Sequence, residues 1–275
     1  VMVEIPGDIA VEEFPGAVNY TAVKRTTSGA NVRDVAEAAK VLLQASSPMI
    51  IAGQGVLYAE ATDELLELAE LLQIPVSTPL EGKSGFPEHH PLSLGTGAGV
   101  MPRPVHTFLQ KADVILAIGT SLTKHNITAA AIPPGKVIIH ATNDERDINK
   151  QYAADYPILG DAKLVLQQFV EAAKDLLGGK KRDADGVVAA QIKQGKQEWM
   201  QEWLPKLTSG ETPMTPYRVM WEFMNLFDRK EVIITHDSGS PRNQLVPFYQ
   251  APVPRSYLGW GKSHALGTGL GLIMG

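Results

Sequence analysis

Between Ser47 and Asp161 the chain carries short apolar runs that do not alternate with polar residues, set apart by segments of helical periodicity. Met49 to Ala52 is one such run and ends in Gly53-Gln54-Gly55; Val114 to Ile118 and Val137 to His140 are two more. A strand that is apolar on both faces has to be covered on both faces, the situation of a parallel sheet flanked by helices. Leu65, Leu66, Leu68, Ala69, Leu71 and Leu72 recur at the spacing of one helical face. The stretch is therefore read as a doubly wound α/β domain, Rossmann-like, over residues 30–178. Fold class alone names no reaction.

The flanks extend this reading. Val1 to Ile5 reads as strand, leading into Pro6-Gly7-Asp8, and residues 9–31, with Pro15, Gly16 and Gly29, read as a linker. A helix is expected over Val32 to Ala45, with Val35, Ala36, Ala39, Leu42 and Leu43 inward. Asp161 is a plausible N-cap for a helix that carries Leu164, Val165, Phe169, Ala172, Ala173 and Leu176 and stops at Gly178-Gly179. Residues 179–211 turn polar and helical and read as a connection, not a second core, with Trp199 and Trp203 on one face. Thr215-Pro216 then starts a new helix, with Val219, Met220, Phe223, Met224 and Phe227 as its buried face. Glu231 to Thr235 is read as a two-sided strand opening a second α/β domain, which is cut short. Both ends lie inside expected secondary structure, so the 275 residues are expected to be a piece of a longer polypeptide.

Composition removes several classes of function. The net charge of -5, without a Lys/Arg-rich block, argues against a nucleic-acid surface. With no cysteine, disulfides, thiolate metal sites and cysteine nucleophiles are excluded. No apolar run reaches the length of a membrane helix and no signal peptide is visible, so a cytoplasmic protein is expected.

Candidate chemistry lies where the strand-like runs end. Gly53, Gly55 and Gly119 could let a phosphate approach the backbone, and Asp144 could hold a ribose hydroxyl, in the crevice beyond the carboxyl ends of a parallel sheet. The bland alternative is that these are tight strand-to-helix turns. Leu94-Gly-Thr-Gly-Ala-Gly99 is a looser glycine loop without an evident strand-then-helix setting. His89, His90, His125 and His236 lack metal-ligand spacing, and no Gly-x-Ser-x-Gly elbow activates Ser238 or Ser240. More informative is Asp237-Ser-Gly-Ser-Pro241, followed about twenty residues later by Tyr257 to Gly271, a second glycine-rich segment entering a helix. The first loop could offer backbone N–H groups to an anion. Two such loops side by side could hold a flat, charged cofactor.

The order of these parts resembles the thiamine-diphosphate-dependent decarboxylase and carboligase family, most closely its acetolactate synthase large-subunit branch. Residues 1–29 resemble the end of that family's pyrimidine-binding domain and the linker after it. Ser47 to Ala173, including Ala112 to Gly119, Ile138 to His140, Asp144 and Pro157 to Asp161, resembles the central domain, and residues 212–275 the start of the diphosphate-binding domain. The resemblance implies that Gly239, Ser240 and Pro241 meet the cofactor diphosphate. It places His264, Ala265 and Leu266 along the cofactor's rings, with Leu266 as the apolar wedge that keeps it bent. It also implies Mg2+, a 2-oxo acid substrate and a homodimer or homotetramer with the active site between subunits.

Departures from the family pattern qualify this. Gly239-Ser240-Pro241 stands where acetolactate synthases have Gly-Gln-His, so backbone contacts are expected to matter more. Thr120 to Lys124 lacks the arginine that helps bind FAD in that branch, which leaves FAD possible but doubtful. The activating glutamate is expected upstream of Val1 and the magnesium motif downstream of Gly275, so the stretch alone is expected to be inactive. Two rivals stand beside this reading. One is a non-catalytic dinucleotide-binding module on residues 30–178; the other is a sister activity such as an oxalyl-CoA-type decarboxylase, a sulfoacetaldehyde acetyltransferase or an aldehyde lyase.

Overall fold

The computed structural model describes residues 4–24, 26–125, 127–182, 186–260 and 265–275. Its centre is a six-stranded parallel sheet: β1 (Met49–Ala52), β2 (Val76–Thr78), β3 (Ser93–Thr96), β4 (Val114–Ile118), β5 (Val137–Thr142) and β6 (Tyr156–Leu159). The spatial order is β3-β2-β1-β4-β5-β6, which reverses direction between β1 and β4. This is the doubly wound arrangement that the unalternating apolar runs demand.

Side chains alternate along each strand, and each face has its own cover. Ile50, Leu116, Ile118 and Ile139 point to the face packed by three helices, α1 (Val32–Gln44), α3 (Thr62–Leu72) and α5 (Ala162–Leu177). Met49, Ile115, Ala117 and Ile138 point to the opposite face, covered by α4 (Arg103–Lys111) and by Ile192 of α6 (Val187–Leu207). A short helix, α2 (Gln54–Tyr58), joins β1 to α3.

Helix ends follow local chemistry. Asp161 accepts hydrogen bonds from the N–H groups of Lys163 and Leu164 at 3.0 and 3.3 Å and starts α5, as its position before an apolar-periodic run predicts. Gly178, at φ +56°, stops it in the left-handed region. In α1 the buried residues are Val35, Ala38, Ala39 and Leu42, with Ala36 and Leu43 only half-buried. Leu65, Leu68, Ala69 and Leu72 are buried in α3, while Leu66 and Leu71 sit at its margin.

The rest of the chain forms a smaller unit: α7 (Pro216–Leu226), β7 (Ile234–Thr235), α8 (Ser240–Leu245), β8 (Tyr257–Leu258) and α9 (Thr268–Met274). β7 and β8 pair in parallel, Ile234 with Tyr257 and Thr235 with Leu258. Thr215 caps α7, its hydroxyl accepting from Arg218 N at 3.2 Å.

Several expectations are corrected here. Glu231 to Thr235 is strand only at Ile234–Thr235, and Ile233 is exposed. Of the five residues expected to form the buried face of α7 and its end, Met224 alone is buried, and Val219 and Phe227 are exposed. The helix α6 is more than a connection. Trp199 stacks on Phe248 with ring centres 4.8 Å apart, Trp203 meets the same ring at 5.1 Å, and both belong to a second apolar cluster. Ser93–Thr96 before Gly97 is the edge strand β3, so the glycine loop at 94–99 does have a strand before it and α4 after it. Of the strand read at the start, residues 1–3 lie outside the described residues, and Glu4 and Ile5 are exposed and not in a strand.

Backbone proximity at the switch point is unusually tight. A Cβ on Gly53 would stand 2.4 Å from Gly119 O, and one on Gly55 2.7 Å from Gly119 Cα. No side chain can shift to relieve a clash against backbone, so Gly53→Ala is expected to cost about 1–3 kcal/mol. A urea midpoint for that variant equal to that of the parent protein would contradict this packing.

Candidate functional site

Two loops, after β1 and after β4, diverge at the switch point and open a cleft of about 1220 Å³ at the carboxyl ends of the strands. Gln54 and Gly55 line it from the β1 side and Gly119 to Ser121 from the β4 side. Asn143, Asp147 and Lys163 line it further along the sheet, and Lys24 reaches it from the segment before α1. That segment is tied down where it passes β6: Asp161 N donates to Ser28 O at 2.9 Å, and Gln168 pairs with both backbone groups of Ala30.

The three glycines singled out here do two different things. Gly53 N donates to Ile118 O at 2.9 Å and Gly55 N to Gly119 O at 2.8 Å, so the β1 turn is bonded to the end of β4. Gly119 is held at φ +61°, where a side chain is strained. Close packing alone requires all three. Gly55 and Gly119 also border the cleft, whereas Gly53 does not.

Asp144 stands outside the cleft lining, where Asn143 and Asp147 stand instead. Both of its oxygens are taken by Arg146, Nε to Oδ1 at 2.9 Å and Nη2 to Oδ2 at 2.6 Å. That bidentate grip, with the Arg146 backbone N–H, brings its carboxyl down to about 2.

The smaller unit supplies the second part of the site. Leaving β7, the chain runs through His236 and Asp237 to Gly239, which adopts φ +96° and ψ -149°. Only glycine is at ease there. A Cβ on Gly239 would meet nothing within 4 Å, so the backbone faces open space. Ser240 and Pro241 open α8, which is only six residues long.

Asp237 joins this loop to the second glycine-rich segment. Its carboxylate accepts from Ser238 N at 2.6 Å and from Gly267 N at 2.9 Å. Gly269 packs on the same turn, where a Cβ would lie 3.0 Å from His236 O. The expectation that the two loops lie side by side is thus given a geometry. Ala265 and Leu266 are exposed, Leu266 to 79%, and His264 lies outside the described residues.

The residue that pattern reading overlooked is Arg242. It is 5% exposed, and among the described residues its Nε and Nη1 have no hydrogen-bond partner. A buried guanidinium without an anion is costly. It sits one turn of chain past Gly239, close enough for its charge to bear on His236 and Tyr257. The sequence carries no signal for it, since in a helix of six residues Arg242 also belongs to the last turn, where a cation is ordinary.

Two histidines are buried in neutral form. Burial pushes His140 and His236 below the ordinary 6.5. His140 donates from Nε2 to Thr120 O at 2.8 Å, and His236 from Nδ1 to Asp237 O at 3.0 Å. Each keeps its other ring nitrogen buried and unpartnered. Among the described residues no group of three or more His, Asp or Glu could hold a metal ion, and no helix is long and apolar enough to cross a membrane.

Comparison with known proteins matches the sequence of the central domain to a family. Residues 35–169 match the model of the thiamine pyrophosphate enzyme central domain. Over that stretch the chain belongs to the thiamine pyrophosphate enzyme central-domain family. It is 31% identical over 279 residues to a probable acetolactate synthase large subunit of Methanococcus aeolicus, covering 99% of this chain and 46% of that protein. A protein of the same description from Methanocaldococcus jannaschii is 32% identical, over 98% of this chain and 45% of its own length. The chain thus spans about half the length of these curated relatives. The fold of benzoylformate decarboxylase from Polynucleobacter necessarius superposes with a TM-score of 0.62 over 90% of this chain and 43% of that one, at 18% identity. That likeness concerns the fold.

The neutral histidines give a pH dependence. Their folded-state pKa values lie below the unfolded value, so the unfolded chain takes up protons first as pH falls. Stability is therefore full above about 6.5 and declines below it. His140→Asn is expected to flatten the loss of thermal stability between about pH 7 and 5.5. An unaltered slope in that variant would remove His140 from the account.

Proposed function

We propose that the chain is part of a thiamine-diphosphate-dependent enzyme that decarboxylates a 2-oxo acid and transfers the resulting carbanion to a second carbonyl, as an acetolactate synthase does. The observation that carries this reading is the loop at Gly239, Ser240 and Pro241. It has a backbone conformation that favours glycine, and one turn on stands the buried Arg242, whose Nε and Nη1 have no partner among the described residues. A diphosphate is the kind of group such a donor set would hold. The 31% identity to a probable acetolactate synthase large subunit, over almost the whole chain, supports the same class.

In this reading residues 1–29 end a pyrimidine-binding domain, 30–178 form the central domain, 179–211 link, and 212–275 begin the diphosphate-binding domain. Thiamine diphosphate, when bound, supplies the nucleophilic carbon and the electron sink. The chain's own residues bind and orient. Gly239 and Ser240 present backbone N–H groups, Arg242 balances the phosphate charge, and Leu266 with Ala265 and His264 lies along the rings. The exposure of Leu266 suits a residue that has a ligand to cover it. Mg2+, the activating glutamate and the assembly into a homodimer or homotetramer belong to the same proposal, as does a cytoplasmic location.

A second ligand is favoured by one observation. The cleft at the switch point is large, edged by Gly55 and Gly119 and by the cations Lys24 and Lys163. It suits an adenine nucleotide, FAD among them, although Lys124 stands where an arginine would help FAD. Chromatography of what denatured full-length protein releases tests this, and an empty supernatant would count against it.

The main reading is tested with the full-length protein. Isothermal titration with thiamine diphosphate and Mg2+ should show binding, and pyruvate should yield carbon dioxide and a carboligation product. Arg242→Met should weaken cofactor binding by about 10- to 100-fold, the worth of one charged hydrogen bond. Full cofactor affinity in that variant would separate Arg242 from the diphosphate, and no binding by the parent protein would defeat the reading.

A further inference from the structure

One buried carboxylate of the central domain bonds to the chain that leads into β8. Glu88, in the turn between β2 and β3, is 3% exposed, and Lys83 is 1% exposed. Lys83 Nζ donates to both Glu88 oxygens, at 2.7 and 2.6 Å. Oε1 also accepts from Thr96 Oγ1 at 3.0 Å, and Oε2 from the backbone N–H of Ala251 at 2.7 Å. The Glu88 backbone N donates to Ala251 O at 3.1 Å, and its carbonyl accepts from Lys196 Nζ at 3.4 Å. A single residue of the central domain thus holds β3, α6 and the segment leading into β8.

From this point the contacts run to the cofactor loop. Lys83 Nζ lies 5.2 Å from the centre of the Tyr257 ring, and Ser84 Oγ is 3.5 Å from Tyr257 O. Tyr257 opens β8, whose partner β7 ends at Thr235, next to His236. Just beyond β8, Gly259 presses on the Lys83 turn so closely that a Cβ would stand 2.0 Å from Leu80 O. Trp260 then donates from its indole N–H to His236 O at 2.7 Å and stacks on the His236 ring at 5.6 Å and 13°. Gly259 and Trp260 also border the switch-point cleft. The N-terminal flank of the 236–240 loop is therefore tied, through Tyr257 and Trp260, to one buried ion pair.

We propose that Lys83 and Glu88 are positioning residues for the diphosphate loop, acting through Tyr257 and through the contact of Trp260 with His236. A pair needed only for the packing of the central domain would not have to hold Ala251, nor would Gly259 have to lie against Leu80. Burial penalises the lysine charge, and Glu88 opposes that penalty. Losing either partner leaves the other without its hydrogen-bonded counter-charge, with Lys196 the remaining charge nearby, whereas losing both removes the two buried charges together.

The effect on cofactor binding rests on the reading given under Proposed function, and the loop geometry does not. Full-length protein is compared with Lys83→Met, Glu88→Gln and the double variant. Hydrogen exchange at residues 236–240 and 257–260 should quicken by about tenfold or more in each single variant, with β1 and β4 amides little changed. The double variant should recover a large part of this, the coupling expected of a pair in contact. Thiamine diphosphate should bind the single variants about fivefold or more weakly, and saturating cofactor should restore kcat, a split expected of displaced binding groups. Exchange that is unchanged at the two loops, or that quickens evenly over the whole chain, would overturn the proposal. Parent protein that binds no thiamine diphosphate would defeat the functional reading, and the exchange pattern would still decide whether the pair positions the loop. Should the single variants fail to fold, Trp260→Phe, which removes only the bond to His236, should quicken exchange at 236–240, and unchanged exchange there would overturn the proposal.

Discussion

Backbone meets backbone where β1 and β4 end, and the rest of the architecture depends on that contact. The hydrogen bonds from Gly53 to Ile118 and from Gly55 to Gly119 bring the two turns to within a distance that excludes any Cβ. Past this junction the connections run to opposite faces of the sheet, and their divergence is what opens the cleft. Both faces must then be covered, which explains why Met49 and Ile50, adjacent in sequence, serve two separate apolar clusters. The glycines are a packing requirement before they are anything else, and the cleft is a consequence of the topology they permit.

How much of this was legible in the sequence follows from the kind of signal each element sends. The runs at Met49–Ala52 and Val114–Ile118 are buried on both faces, so their composition is decisive, and the Asp161 cap is local chemistry that tertiary context did not override. β2 and β3 are three and four residues long and contain Ser77, Ser93 and Gly95, so neither run is apolar enough to register. Glu231 to Thr235 misled for the opposite reason. Its apolar composition promises a strand covered on both sides, yet Ile233 is exposed and only two residues pair. For α6, polarity concealed a role in packing: Trp199 and Trp203 fill a cluster built around Phe248, almost fifty residues away, which no local pattern can reveal.

The site divides along the same line. Gly239 could be singled out because a strand end followed by small residues is a local signal. Arg242 could not, since its significance lies in burial without a partner, which appears only once the fold is built. Asp144 shows the converse. A carboxylate after a strand is a reasonable ribose partner, but Arg146 two residues on binds both of its oxygens. Asp237, which joins the two glycine-rich segments through Gly267, is separated from that partner by thirty residues. The resemblance to thiamine-diphosphate enzymes supplied the order of the parts, whereas the contacts between them come from the structure.

Central to the account is that the 236–241 loop, seated against the central domain, receives the cofactor's diphosphate. A crystal structure of the full-length protein grown with thiamine diphosphate and Mg2+ tests this most directly. The account predicts phosphate oxygens against the Gly239–Ser240 backbone, with the Arg242 guanidinium turned toward them and Leu266 covered by the cofactor. Diphosphate bound elsewhere, with Nε and Nη1 of Arg242 still buried and without a partner, would contradict it.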